Sequence, residues 1–493
     1  MTLNTGFSIV NCAAAEEGLT YRMKYRLNEE NALRFALFHL LTLLSLFGPA
    51  VLASAAVNVT NGSLGLQLSN GATNDVWANP PALNSVFDRW VGDAHLLANP
   101  YAWHTTLVMP QDASLTATFK PAPDWSTTNH TLNGLAPSDP NAVNLIYYFP
   151  ANPAGVIFFF NGARARASGF FTEAESFTFA RDAVAAGYAV ASLDSGGGLG
   201  KSWDITFSSS NLDVGNVRAS LNYFISLGLM TTNTPKFATG MSAGGFFAPI
   251  PAYYLQFNAC ALWCSSGAPR STGATVFNFT TVPTIWNLAR NDDLYNHKAF
   301  LADATTNLAL LAGRGVAGEL RENQPSPVYP QRFTRIDGLT AADSQNIHDQ
   351  LKAAGLLDAV DFLISSPFNN SNHWLGALPG YAPYTNAIQN QLNSCYSEHH
   401  FFSDLGNQTL QFFGARRPPV PGHVEVVTIT RQPGVTVKLT IAAAPGQSYR
   451  VQASDGLRTW TDIFTNTDAG GTFDFTDANS PAMTSRFYRA ISP

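Results

Sequence analysis

Between residues 150 and 415 the chain alternates short, unbroken apolar runs with longer stretches of mixed polarity. Val156-Ile157-Phe158-Phe159-Phe160, Tyr188-Ala189-Val190-Ala191-Ser192-Leu193 and Lys236-Phe237-Ala238-Thr239 have the unbroken hydrophobicity of strands covered on both faces. The segments 175–186 and 213–227 lie between them and are long enough for helices. Strand, helix, strand in that order predicts βα units and a parallel sheet, in one α/β domain of about 300 residues over 121–417.

On either side the hydrophobic period changes to two. Val57-Asn58-Val59-Thr60 and Leu115-Thr116-Ala117-Thr118-Phe119, with turn signals at Asn61-Gly62 and Asn70-Gly71, predict a small β module over 56–120. Prolines 418, 419 and 421 make a stiff spacer, after which alternating runs from Val424 and Val435 predict a second all-β module over 423–493. Inside the central region Thr340-Ala341-Ala342-Asp343 is a capping box opening a helix that ends at Gly355. If Ala317-Gly318-Glu319-Leu320-Arg321 is the last strand, 325–395 becomes an inserted, partly helical region.

Residues 1–55 read differently again. Arg34 precedes an apolar run from Phe35 to Phe47, followed by Gly48-Pro49 and the small residues Ala53-Ser54-Ala55, the order of a secretory signal cleaved after Ala55, with Met23 as a conventional start. An uncleaved anchor is the alternative, and Pro49 with the alanine-rich exit favours cleavage. The expectation is therefore a secreted or cell-surface protein with no stable membrane insertion after signal cleavage. Outside a cell no steady supply of ATP or nicotinamide exists, so hydrolysis and binding are the default activities.

Composition narrows the partners. With 45% hydrophobic and 12% aromatic residues the chain has material for packed cores. Its 28 Lys and Arg against 34 Asp and Glu, a formal charge of −6, give no basic footprint for nucleic acid. Cys12, Cys260, Cys264 and Cys395 are too few for a disulfide scaffold and lack zinc-site spacing. Cys260 and Cys264, about 13 Å apart along one strand, are too distant to pair, so a bridge would have to use Cys395. No metal or cofactor is expected. The segment from Ser195 to Ser202 nearly matches a phosphate-binding loop, but that motif needs glycine where Ser195 stands. The loop is expected at the rim of a site, with Trp203 available to stack on substrate. Trp77, Trp90 and Trp103 fit either a sugar-stacking platform or, in so small a module, its core, and the core is the expectation.

Gly240-Met241-Ser242-Ala243-Gly244 directly follows the run 236–239. A G-x-S-x-G between strand and helix makes a sharp turn that exposes the serine hydroxyl, so Ser242 is the candidate nucleophile. Pro249 and Pro251 predict that the next helix is short or kinked. Serine needs a base, and the base needs an acid to orient it. In the order Ser, acid, His, the run 282–289 exits to Asp292, with Asp293 its neighbouring alternative and a helix cap the structural one. His373, His399 and His400 compete as the base. Backbone N–H groups for a developing oxyanion are expected from Ala243 and from Asn161-Gly162-Ala163, where Ala163 is the donor.

Together these residues resemble the α/β-hydrolase superfamily in its secreted esterase and polyester-depolymerase branch, with Gly240-Met241-Ser242-Ala243-Gly244-Gly245 the closest local match. The resemblance covers about 150–415 and implies an α/β fold with a mostly parallel eight-stranded sheet, flanked by N-terminal and C-terminal small all-β modules. It implies a Ser-His-Asp acyl-transfer mechanism without a cofactor, and prefers His399 because the base of such folds lies on the loop entering the last helix. Asn161 stands where the family has histidine. The module at 56–120 resembles repeat modules of bacterial cell-surface proteins, and the one at 423–493 resembles C-terminal sandwiches of secreted bacterial proteins. The expected partner is an ester substrate, polymeric or surface-bound. A serine peptidase and a non-catalytic surface binding protein are the rival readings.

Overall fold

The computed structural model describes residues 57–491 apart from 66–72, 83, 109–111, 133–141, 164–165, 197–201, 269–274, 293–296, 369–372, 418–423, 433–435, 444–448, 456–458, 467–471 and 483–484. The signal segment, the proline spacer and Asp293 lie outside the described residues.

Eight strands form the central sheet: β1 Thr128–Leu132, β2 Val143–Tyr148, β3 Val156–Phe160, β4 Ala189–Leu193, β5 Lys236–Met241, β6 Ala259–Trp263, β7 Thr284–Ala289 and β8 Gly318–Asn323. Across the sheet they run β1-β2-β4-β3-β5-β6-β7-β8; β2 is antiparallel to both neighbours and the remaining pairs are parallel. That is the order of the α/β-hydrolase fold. Helices α1 Ala174–Ala185, α2 Leu212–Ser226, α3 Ala243–Phe247, α4 Pro249–Tyr254 and α5 His297–Ala312 connect the strands. After β8 come α6 Ala341–Ala353, α7 Thr385–Tyr396 and α8 Gly406–Gly414.

The unbroken apolar runs have a direct cause. Along β3 the side chains of Val156, Phe158 and Phe160 enter one buried cluster while Ile157 and Phe159 enter the other, so each face of the sheet is covered. Burying each such phenylalanine contributes roughly 1.5–3 kcal/mol. Thr340 accepts from the Asp343 N–H and Asp343 returns the bond, the capping box that opens α6. Leu357 and Leu363 pair in an isolated bridge, and the last strand of the sheet is β8, the run expected at 317–321.

Residues 57–121 form two three-stranded sheets, and Trp77, Trp90 and Trp103 are 6%, 2% and 5% exposed, which makes them core and not a platform. Trp77 stacks on Tyr329 of the segment after β8, with centroids 4.9 Å apart. Two further three-stranded sheets between Val424 and Ile491 enclose Leu439, Ile441 and Val451. Cys260, Cys264 and Cys395 are free and buried, so the bridge through Cys395 does not form. Among the described residues no helix is long and apolar enough to cross a membrane.

Candidate active site

The turn after β5 carries Ser242 at φ 54°, ψ −118°, a left-handed backbone that a non-glycine residue holds only when its surroundings impose it. They do so through two glycines. A Cβ on Gly240 would strike the Gly244 carbonyl, and one on Gly244 would strike the carbonyls of Phe160 and Asn161. The Ser242 N–H donates to Trp263 O at 2.9 Å, and its carbonyl accepts from Phe246 N–H at 3.0 Å. Pro249 begins a new helix after α3, so the expected short, kinked helix is two helices meeting at Ala248.

Asp292 leaves the end of β7 and is 1% exposed. Its Oδ2 lies 2.6 Å from Nδ1 of His399, whose Nε2 lies 2.8 Å from Ser242 Oγ. Ser242, His399 and Asp292, named from sequence, are thus brought into one hydrogen-bonded chain. His399 reaches it from the loop between α7 and α8. Ser397 shapes that loop: at φ 60°, its Oγ donates to Asn323 O at 2.7 Å and accepts from the Arg290 N–H at 2.9 Å. Asn291 bonds the carbonyls of Ser397 and Tyr396, at 2.9 and 2.8 Å, so the acid turn and the histidine loop are sewn together.

The competing histidines stand elsewhere. His373 is exposed. The carbonyl of His400 accepts from Cys264 Sγ at 3.3 Å, and burial pushes the His400 imidazole down to about 4, leaving it neutral. Glu398, not foreseen from sequence, is fully buried; its carboxylate accepts from Ser366 Oγ at 2.7 Å and from the His399 N–H at 3.2 Å. Nothing local in the sequence separates this glutamate from a surface one.

The loop after β3 lies beside the serine: a Cβ on Gly162 would be 3.8 Å from Ser242 Cβ. Ala163 follows Gly162 in that loop, and Ala243 follows Ser242 at the start of α3. Asn161 is buried and turns away, its amide donating to Ser192 Oγ at 3.0 Å and its carbonyl accepting from Trp203 Nε1 at 2.7 Å. Trp203 is thereby a correction. It is 5% exposed, stacked on Phe247 at 4.7 Å and edge-on to Phe160, so it braces the loop after β3 from inside and offers no face to substrate.

Cys264, Asp292 and His399 bring ligand-type atoms within 4.8 Å of one another. The Asp292 and His399 atoms already bond each other, and burial pushes the Cys264 thiol well up, away from the thiolate a metal would need. The arrangement is suited to moving a proton from Ser242 Oγ to His399.

No protein-family model matches the chain, and no curated protein does. Among solved structures it is similar to a ferulic acid esterase at 11% identity, over 40% of this chain and 89% of that one, TM-score 0.32. An S-formylglutathione hydrolase from Agrobacterium tumefaciens aligns at 13% identity over 40% and 84%, TM-score 0.29. An acetyl xylan esterase from Aspergillus awamori aligns at 15% over 38% and 81%, TM-score 0.29.

Proposed function

We propose that this protein is a secreted serine hydrolase that cleaves carboxylic esters through an acyl-enzyme. The observation that carries the reading is the Asp292–His399–Ser242 chain at 2.6 and 2.8 Å, with Ser242 held on its strained turn. Ser242 Oγ attacks the ester carbonyl as His399 Nε2 takes its proton. Asp292 holds Nδ1–H and so fixes the tautomer and steadies the imidazolium. The backbone N–H groups of Ala163 and Ala243 receive the oxyanion, a contribution worth roughly 10²–10³ in rate per donor. Collapse breaks the ester bond, and the alcohol leaves with the proton from His399. Water then repeats the sequence and frees Ser242.

The apolar leader at 35–47 supports export, and the flanking β modules support a polymeric or surface-bound ester. The test compares an ester with its matched anilide. Faster ester turnover supports the proposal; faster anilide turnover makes the protein a serine peptidase. A folded protein with neither activity would be a binding protein. The polymeric substrate fails if a chain ending at 417 degrades insoluble polyester as fast as the full one.

A further inference from the structure

The segment between His399 and α8 is held by three remote parts of the chain. Glu175 of α1, 1% exposed, accepts through Oε2 from the Ser403 N–H at 2.8 Å and Oγ at 2.7 Å. Its other oxygen accepts from Arg332 at 3.0 Å and Arg335 at 2.9 Å, both from the insertion after β8, and Arg335 also donates to Ser403 Oγ at 3.0 Å. Arg335 in turn lies 3.9 Å over the Trp103 ring of the N-terminal module. The next residue repeats the pattern. Asp404 Oδ1 meets His104 Nδ1 at 3.2 Å across 300 residues of sequence, while His104 Nε2 is fixed on Asp75 at 2.7 Å. Asp75 thus orients the ring and leaves Nδ1–H aimed at the histidine loop.

We propose that the N-terminal β module is an intramolecular clamp on this loop, in which His104 and Arg335 are positioning residues for the base His399. The proposal rests on the reading of His399 as base. The charge balance fits it. Burial alone would lower the His104 pKa, but hydrogen bonds to Asp404 and Asp75 carry it up to about 9, so both N–H groups are present at neutral pH. Burial would raise the Glu175 carboxyl, yet Arg332, Arg335 and Ser403 hold it far below the usual carboxylate range. Between the clamp and His399 the loop is further pinned by Trp263 Nε1 on Phe402 O at 3.1 Å and by Phe401 against Trp263 and Phe159. A shift at 403–404 therefore has a short, stiff path to the imidazole.

The test is steady-state kinetics and fluorophosphonate labelling of the full chain carrying His104→Gln, Arg335→Ala or Arg335→Lys, beside Trp90→Phe. Trp90 is module core, donating to Ala102 O at 3.0 Å, and has no part in the clamp. In the folded His104→Gln and Arg335→Ala variants, kcat and labelling rate should fall about 10- to 100-fold with KM unchanged, as expected for a misplaced base. Arg335→Lys should recover part of the loss, and Trp90→Phe should lower Tm while keeping kcat. Variants that lose Tm but keep kcat would reduce the contact to structural cement and overturn the proposal. A raised KM with kcat intact would overturn it in favour of substrate contact by the module. If His104→Gln does not fold, His104→Gln/Asp404→Asn removes the buried unpaired carboxylate and carries the same test. A wild-type protein that neither labels nor turns over would overturn the site reading itself, a result distinct from either.

Discussion

Ser242 and His399 meet at a 2.8 Å hydrogen bond, yet the structure holds them in different ways. The serine's support is backbone and mostly local: two glycines, the end of β5 and the first turn of α3, joined by the Trp263 carbonyl of the neighbouring strand. The histidine's support is side chain and remote. Ser397 ties it to β7 and β8, Ser366 reaches it from the insertion through Glu398, and Glu175, Arg335 and His104 hold the residues that follow. Local support needs only a short motif. Remote support needs the whole fold, including a module that belongs to another sheet.

The largest effects should fall where the two sides meet. Ser242→Ala and His399→Ala should each abolish measurable turnover, and Asp292→Asn should lower kcat by about 10⁴ without unfolding the chain, measured by single-turnover kinetics. Gly244→Ala should break the serine side alone: its Cβ collides with the Phe160 carbonyl, so the turn must shift, and activity should fall about a hundredfold or more while near-ultraviolet circular dichroism still reports a folded chain.

On the histidine side the cost should show as stability as well. Glu175→Gln leaves Arg332 and Arg335 buried with no carboxylate, and should destabilise by roughly 3–5 kcal/mol in urea unfolding. His104 predicts a pH signature. Its folded pKa is raised, from 6.5 to about 9, so its contribution is complete below pH 6.5 and fades as pH rises through 9. On the order of 3 kcal/mol should disappear over that window, and the slope should be absent in His104→Gln. The charged groups that set it are Asp75 and Asp404, with Arg332 and Arg335 near the latter. The smallest effect should come from ending the chain at 417. The C-terminal sheets carry their own core at Leu439, Ile441 and Val451, and turnover of a soluble ester should not change.

The same contrast explains what the sequence discloses. The strand-turn-helix around Ser242 is readable because its motif lies within Lys236 to Gly245, and Asp292 is readable as the exit of an apolar run. The parallel α/β sheet is readable from runs that are apolar on both faces, while its eight strands are what the family resemblance implies. The choice among His373, His399 and His400 depends on Ser397 adopting φ 60° and on bonds from Ser366 and Cys264, none of which has a local pattern. Trp203 misled because a tryptophan after a glycine-rich loop reads as exposed, whereas its ring is inserted beside Phe247 and Phe160. His104 and Asp404 sit in different modules, and only the folded chain pairs them.

The most direct measurement is the intact mass of the protein after treatment with a fluorophosphonate, followed by peptide mapping, for wild type, Ser242→Ala and His399→Ala. One adduct on Ser242 in the wild type, none in Ser242→Ala and strongly slowed labelling in His399→Ala is the predicted result. An unlabelled, folded wild-type protein, or an adduct that survives Ser242→Ala, would contradict the assignment of Ser242 as nucleophile and His399 as its base.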